Sequence, residues 1–101
     1  MLDAAHDAAR FLAQHTRADL DAEPFLWLGL VKCLEVIGEA ASRITAERRQ
    51  RYPEVDWRRV VGTRHRLVHD YDQINYDIVW DTANSSLPAL VPTLERMLAE
   101  L

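Results

Sequence analysis

The sequence predicts an all-α protein: a four- to five-helix up-and-down bundle whose long last helix is kinked near Pro88. Three observations carry that reading. Apolar residues recur every three to four positions almost throughout the 101 residues. No stretch alternates convincingly as a strand. The connections between periodic stretches are short, which makes sequential helices antiparallel neighbours.

Taken in order, Leu2, Ala5, Ala9 and Leu12 define a first helix that fades in the polar stretch Thr16 to Asp21. Pro24 suits the first turn of a second helix, with Asp21 and Glu23 beside its positive end. Trp27, Leu30, Val31, Leu34, Ile37, Ala41 and Ile44 form its stripe, while Phe25, Leu26, Cys33, Val36 and Ala40 extend its apolar surface. A helix apolar over so much of its circumference is central to a bundle or packs against a second subunit. It is expected to end near Arg51, because Pro53 restricts Tyr52 away from the helical region. Asp56 is the expected N-cap of a third helix running to about Tyr71, with Gly62 a mild interruption. Asn75 is the expected cap of the last helix. Tyr76, Val79, Ala83, Leu87, Leu90, Leu94, Leu98 and Leu101 keep one phase across Pro88 and Pro92, so one long helix is expected, kinked or broken between Asn84 and Pro88.

Length and composition set the class. A chain of 101 residues, 49% hydrophobic, is expected to be a single domain over 1–101 and is too apolar for a disordered chain. A domain of this size buries only about 60–65% of its unfolded surface, which invites a partner chain. One cysteine makes neither an internal disulfide nor a thiolate zinc site, so a cytoplasmic location is expected. The start of the chain has no basic segment followed by an apolar core, and Lys32, Glu35 and Glu39 interrupt the most apolar run. No membrane association is expected.

The formal net charge of −4 argues at first against nucleic acid. The average hides a segregation. Between Arg43 and Arg66 stand eight arginines against three acids, a net of +5; the remainder carries four basic and thirteen acidic residues, a net of −9. A basic block within an acidic chain is a focused positive field. Arg48, Arg49, Arg51, Arg58, Arg59 and Arg66 are therefore candidate contacts for an RNA backbone.

The third helix holds the residues that look out of place. Its stripe reads Trp57, Val60, Val61, then Arg64, then Leu67, Val68 and Tyr71. Arg64 and Tyr71 share a face, and His69 lies about 140° round from Arg64, with His65 about 40° from His69. An arginine in an apolar stripe is expensive to bury without an anion. Either it pairs internally with Glu35 or Glu39, or it faces a cleft and binds an anion as a planar fork. His69 is either a half-buried, hydrogen-bonded histidine or a proton-transfer group. His65, His69 and Asp72 have the spacing of three metal ligands on one helix face, a weak signal without the glutamate of a zinc-protease helix; no metal and no cofactor is expected. His6 and His15 read as surface residues and Cys33 as core.

The octet Arg64-His65-Arg66-Leu67-Val68-His69-Asp70-Tyr71 resembles the Arg-x4-His-x-Tyr signature of the HEPN superfamily, specifically its HepT-like ribonuclease toxins. Leu34-Glu35-Val36-Ile37-Gly38-Glu39-Ala40-Ala41 is similar to that family's second-helix motif. Pro53-Glu54-Val55-Asp56-Trp57, Gly62-Thr63-Arg64, Val79-Trp80 and Leu87-Pro88-Ala89-Leu90 follow in the family's order and spacing. The resemblance implies a HEPN-like all-α homodimer that cleaves RNA, in some members tRNA, without a metal. It also implies a small nucleotidyltransferase antitoxin as partner, which transfers AMP to the motif tyrosine. It carries over Arg64 and His69 as catalytic residues and Tyr71 as the modified or substrate-contacting residue. The family usually has Asn directly after the arginine; this chain has His65, an auxiliary candidate. That departure keeps open a non-catalytic alternative, a nucleotide- or RNA-binding partner or scaffold of a nucleotidyltransferase.

Overall fold

The computed structural model describes residues 1–69 and 76–101, with residues 64–69 described as helical backbone. Among the described residues six helices follow in order: α1 (Leu2–Gln14), α2 (Arg17–Ala22), α3 (Pro24–Ser42), α4 (Ala46–Gln50), α5 (Trp57–His69) and α6 (Tyr76–Ala99). The four long ones, α1, α3, α5 and α6, form the bundle. α3 packs against α1, α2, α5 and α6, and α6 closes the ring against α1 and α5.

Named contacts fix the directions. Met1 and Leu2 at the start of α1 line one groove with Ala40 and Ile44 beyond the middle of α3 and with Leu94, Met97 and Leu98 late in α6. At the other pole, Trp27 at the start of α3 stacks on Tyr76 at the start of α6. α1 therefore runs opposite to α3 and α6. Trp57, which opens α5, donates from its indole N–H to the Tyr52 carbonyl at 3.0 Å, and the Tyr52 hydroxyl donates to Glu100 just past α6. α5 thus starts where α6 ends, and the up-and-down order holds.

The core follows most of the predicted stripes, but α1 buries Ala8 where Ala9 was expected, and Tyr76, Leu98 and Leu101 of the α6 stripe are exposed. Trp27, Leu30, Leu34, Ile37 and Ala41 of α3 meet Ala5 and Ala8 of α1, Trp57 and Val60 of α5, and Val79, Ala83, Leu87, Leu90 and Leu94 of α6, all buried. The small alanines of α1 let its backbone approach α3 and α6 closely.

Three boundaries differ from the sequence expectation. The stretch that fades after Leu12 is a separate helix, α2, started by a capping box: the Asp19 amide donates to Thr16 Oγ1 at 3.2 Å, and the Thr16 amide donates to the Asp19 carboxylate at 2.8 Å. The second long helix ends at Ser42, not near Arg51. Amides of Arg43 and Ile44 donate to Ala40 and Ala41 carbonyls at 3.1 Å, tightening the last turn. Thr45 then caps α4 by accepting from the Arg48 amide at 3.2 Å. Asp56 does cap α5, accepting from the Arg59 amide at 3.1 Å.

α6 runs unbroken across Pro88 and Pro92. Each proline lacks an amide proton, which orphans the carbonyl four residues earlier. Polar side chains cluster around that region: Asn84 donates to the Trp80 carbonyl at 2.8 Å, Ser85 to Asp81 at 2.7 Å and Thr93 to Ala89 at 2.8 Å. Packing of the buried Leu87, Leu90 and Leu94 holds the helix in phase through both prolines.

Candidate functional site

α5 is the element that carries the signature, and its first half shows how it is seated. Trp57 and Val60 are buried, and Thr63 is buried with its hydroxyl donating to the Arg59 carbonyl at 2.9 Å. The backbone continues as helix through Arg64 to His69. One rigid helix therefore sets the spacing of the two residues: five positions give about 7.5 Å of rise and about 140° of rotation. The side chains of Arg64, His65, Arg66 and His69 lie outside the described residues, as do Asp70, Tyr71 and Asp72. The ion pair weighed for Arg64 and the metal set of His65, His69 and Asp72 lie there too. Glu39, one of the carboxylates weighed for Arg64, accepts from Arg43 at 3.1 Å. Among the described residues, no group of three or more His, Cys, Asp or Glu is placed to hold a metal ion.

The candidate RNA-contacting arginines divide between the poles of the bundle. Arg48, Arg49 and Arg51 belong to α4 and its end, and Arg58 and Arg59 to the first turn of α5. That pole is about 18 Å along α5 from His69. Arg66, in the last turn, lies at the signature's own pole. Arg51 pairs with Glu47 at 3.3 Å. Arg49 is partly buried and donates to the Ala41 carbonyl at 2.9 Å, so it tethers α4 to the end of α3. Arg58 and Arg59 are exposed, and as cations at a helix N-terminus they oppose its dipole.

Arg48, Arg51, Tyr52, Arg96 and Glu100 line a recess of about 370 Å³ at this pole. Tyr52 is its centre. Its hydroxyl donates to Glu100, the Arg96 guanidinium lies 5.2 Å from its ring centroid, and Arg96 also pairs with Glu54. The hydrogen bond to the Glu100 carboxylate, reinforced by burial, pushes the Tyr52 hydroxyl above its ordinary value of 10.0. Glu54 is held below its ordinary value of 4.5, first by a bond from its own backbone amide and then by Arg96 and Thr93. Three arginines among three carboxylates make this a nearly neutral knot that locks α4, the α5 entry and the end of α6 together.

The signature's pole holds an arrangement that periodicity did not reveal. Tyr76 stacks on Trp27 with ring centroids 4.6 Å apart and planes 19° off parallel. Trp80 meets Trp27 edge-on at 6.3 Å. The Trp27 indole donates to Asp21 at 3.3 Å, and the Arg17 guanidinium lies 6.0 Å from its ring. Trp27 and Tyr76 stand in the sequence only as members of separate apolar stripes. Their pairing follows from α3 and α6 starting at the same pole.

Of the remaining candidates, His6 takes its expected surface place, while His15, expected on the surface, and Cys33, expected in the core, are both half-buried. His6 pairs with Glu95 at 3.0 Å on the surface. His15 is half-buried, stacked on Phe11 at 4.4 Å. Cys33 is half-buried, and burial, with a smaller contribution from Asp7, pushes its thiol above 9.0.

An all-α bundle presenting an Arg-x4-His segment from one continuous helix matches a known class. The family profile described as "Ribonuclease HepT-like" aligns with residues 1–97, and the chain belongs to this HepT-like family of the HEPN superfamily. It is 33% identical over 88 residues to "Putative RNase MJ0125" of Methanocaldococcus jannaschii, covering 82% of this chain and 76% of that one. It is 34% identical over 80 residues to "Putative RNase TTE0752" of Caldanaerobacter subterraneus, covering 79% and 71%. "Probable ribonuclease HepT" of Thermococcus cleftensis is 29% identical over 68 residues, 67% of this chain and 62% of that one. No solved structure matches the chain at a comparable level. No described helix is long and apolar enough to cross a membrane.

Proposed function

We propose that this protein is a metal-independent endoribonuclease, the toxin of a toxin–antitoxin pair, acting on RNA and in particular on tRNA. Membership of the HepT-like family over residues 1–97 is the observation that carries the reading. The geometry supports it, because α5 holds Arg64 and His69 at fixed separation on one helix.

RNA cleavage without a metal needs a base for the 2′-hydroxyl, an acid for the departing 5′-oxygen and positive charge at the phosphate. Arg64 supplies the charge as a planar donor matched to phosphoryl oxygens. His69 moves the proton, a contribution of typically 10²–10⁴-fold. The second proton transfer falls to His65, to His69 of a symmetry mate or to water. Tyr71 contacts the substrate and is the residue to which a nucleotidyltransferase antitoxin transfers AMP; the added charge and bulk block the RNA path.

The active form is a homodimer. Phe25, Leu28 and Val36 lie on the face of α3 turned away from the core and are 84%, 56% and 39% exposed. Gly29, on the same face, has open space where a Cβ would stand. Such a face, apolar except for the exposed Lys32, suits isologous pairing.

His69→Ala is the deciding variant. It is expected to abolish cleavage of purified tRNA in the presence of a chelator while its mass by light scattering stays that of the wild type. Equal cleavage by both proteins would sink the assignment. RNA binding with steep salt dependence but no products from the wild type would instead establish the non-catalytic alternative, which His65 in place of Asn keeps open.

A further inference from the structure

We infer that Tyr76, seated on Trp27, is a stacking platform for an unpaired nucleobase, so that the RNA taken is single-stranded or looped at the site of cleavage. The inference rests on the ribonuclease reading and adds to it the substrate class and the residue that selects it.

Tyr76 is 42% exposed although one face of its ring lies against Trp27, which is only 2% exposed. With one face taken by Trp27, the opposite face and the hydroxyl edge are the parts of the ring left for a ligand. The ring is also held in place. Trp27 is fixed by its bond to Asp21 and by the edge of Trp80. The neighbouring Asp77 is paired with Arg17. Three elements, α2, α3 and α6, thus converge to hold one aromatic face towards solvent. An aromatic ring already fixed in its rotamer loses little entropy when a second flat surface covers it.

The surroundings say what that surface is. Asp21, Glu23 and Asp77 are exposed around this pole, and the nearby cation, Arg17, is already paired with Asp77, so the net charge beside the ring disfavours a phosphate, whereas the neutral face of a base is welcome. A stacking face takes any base but requires it to be unstacked from its own helix, which duplex RNA does not offer. Position supports the assignment. Six residues separate Tyr76 from His69, which bounds their backbone separation at about 25 Å, the footprint of a short oligonucleotide. A base held on Tyr76 fixes the register of the strand relative to α5.

The test uses the full chain carrying His69→Ala, so that binding is read without cleavage, and a short single-stranded RNA in which one abasic nucleotide is moved along the strand. Adding Tyr76→Phe is expected to leave affinity within about twofold, and Tyr76→Leu to weaken it about tenfold, as loss of one stacked base does. At one position the abasic RNA is expected to bind about tenfold more weakly to the Tyr76 protein and no more weakly than intact RNA to the Tyr76→Leu protein. Binding of a blunt duplex is expected to be the same for both. Equal affinities for Phe and Leu, or an abasic loss that persists undiminished in Tyr76→Leu, would overturn the platform. So would a halved mass of Tyr76→Leu by light scattering, which would place the ring between copies of the chain. If Tyr76→Leu does not fold, the abasic scan decides alone, and a flat scan overturns the inference. The two readings fail separately. A wild type that shows the stacking pattern without cleaving loses the nuclease and keeps the platform; one that cleaves while the scan is flat loses only the platform.

Discussion

Tyr52 and Glu54 show how single side chains set the response of this fold to pH, and in opposite directions. The Tyr52 hydroxyl is raised by its bond to Glu100. Its contribution is complete below 10.0 and is lost as pH rises through the higher folded value. Glu54 is lowered by its own backbone amide and by Arg96. Its contribution is complete above 4.5 and is lost as pH falls through the lower folded value. Urea midpoints are therefore expected to fall at both extremes. Tyr52→Phe should remove part of the alkaline fall and Glu54→Gln part of the acid fall, each leaving the other limb unchanged. A Tyr52→Phe curve superimposable on wild type above pH 10 would show that the bond to Glu100 contributes nothing. Cys33 offers a further check at this scale: its raised, half-buried thiol should react with a thiol reagent at pH 8 much more slowly than in urea, because only the thiolate attacks.

At the scale of elements, the long helices were legible because burial acts on every third or fourth residue, and α3, α5 and α6 repeat that pattern over several turns. The short ones were not. α2 and α4 are made by one threonine each, Thr16 and Thr45, and a cap competes with an apolar period that runs straight past it. Thr16→Ala removes one half of the capping box and should cost about 1 kcal/mol, read as a lower urea midpoint with unchanged slope. α5 offers a change of opposite sign. Gly62 sits in the helix interior with no described neighbour within 4 Å of where a Cβ would stand, so Gly62→Ala should stabilise by about 0.5–1 kcal/mol. The melting midpoint should then rise by about 2–8 °C; a lower midpoint would mean that a close neighbour fills that space. The signature was equally readable, since Arg64 interrupts its own stripe. The aromatic pair at the opposite end of α5 from Trp57 was not, because periodicity assigns a residue to a face of its own helix and is silent on which helix starts beside which.

For the whole molecule, charge is the instructive quantity. The total of −4 gives no hint that the arginines gather around α4 and the entry of α5, where Arg51 pairs with Glu47 and Arg49 donates to the Ala41 carbonyl, while Glu54 and Glu100 pair with Arg96 of α6. Part of the basic block thus holds the fold together, while Arg58 and Arg59 stay exposed against the dipole of α5. Arg58→Glu with Arg59→Glu is expected to leave the protein folded, with an equal or higher melting midpoint, and to weaken RNA binding at low salt. Unchanged binding would remove both residues from the RNA path. The proposed dimer belongs to this scale as well. A chain of 11.6 kDa is expected to scatter light as a pair, and Leu28→Glu, placed on the exposed face of α3, to scatter as one chain.

The knot around Tyr52 and Glu100 and the stack on Trp27 sit at opposite poles, about 35 Å apart along α6, which runs from Tyr76 to Ala99. Perturbations that far apart combine without interacting, typically to within about 0.5 kcal/mol. Mutational drift at one pole therefore leaves the other as it was. On the proposed reading, a lineage of such proteins is free to revise the RNA it selects by changing residues around Trp27 and Tyr76, while α4 and the end of α6 go on supplying the same reserve of stability.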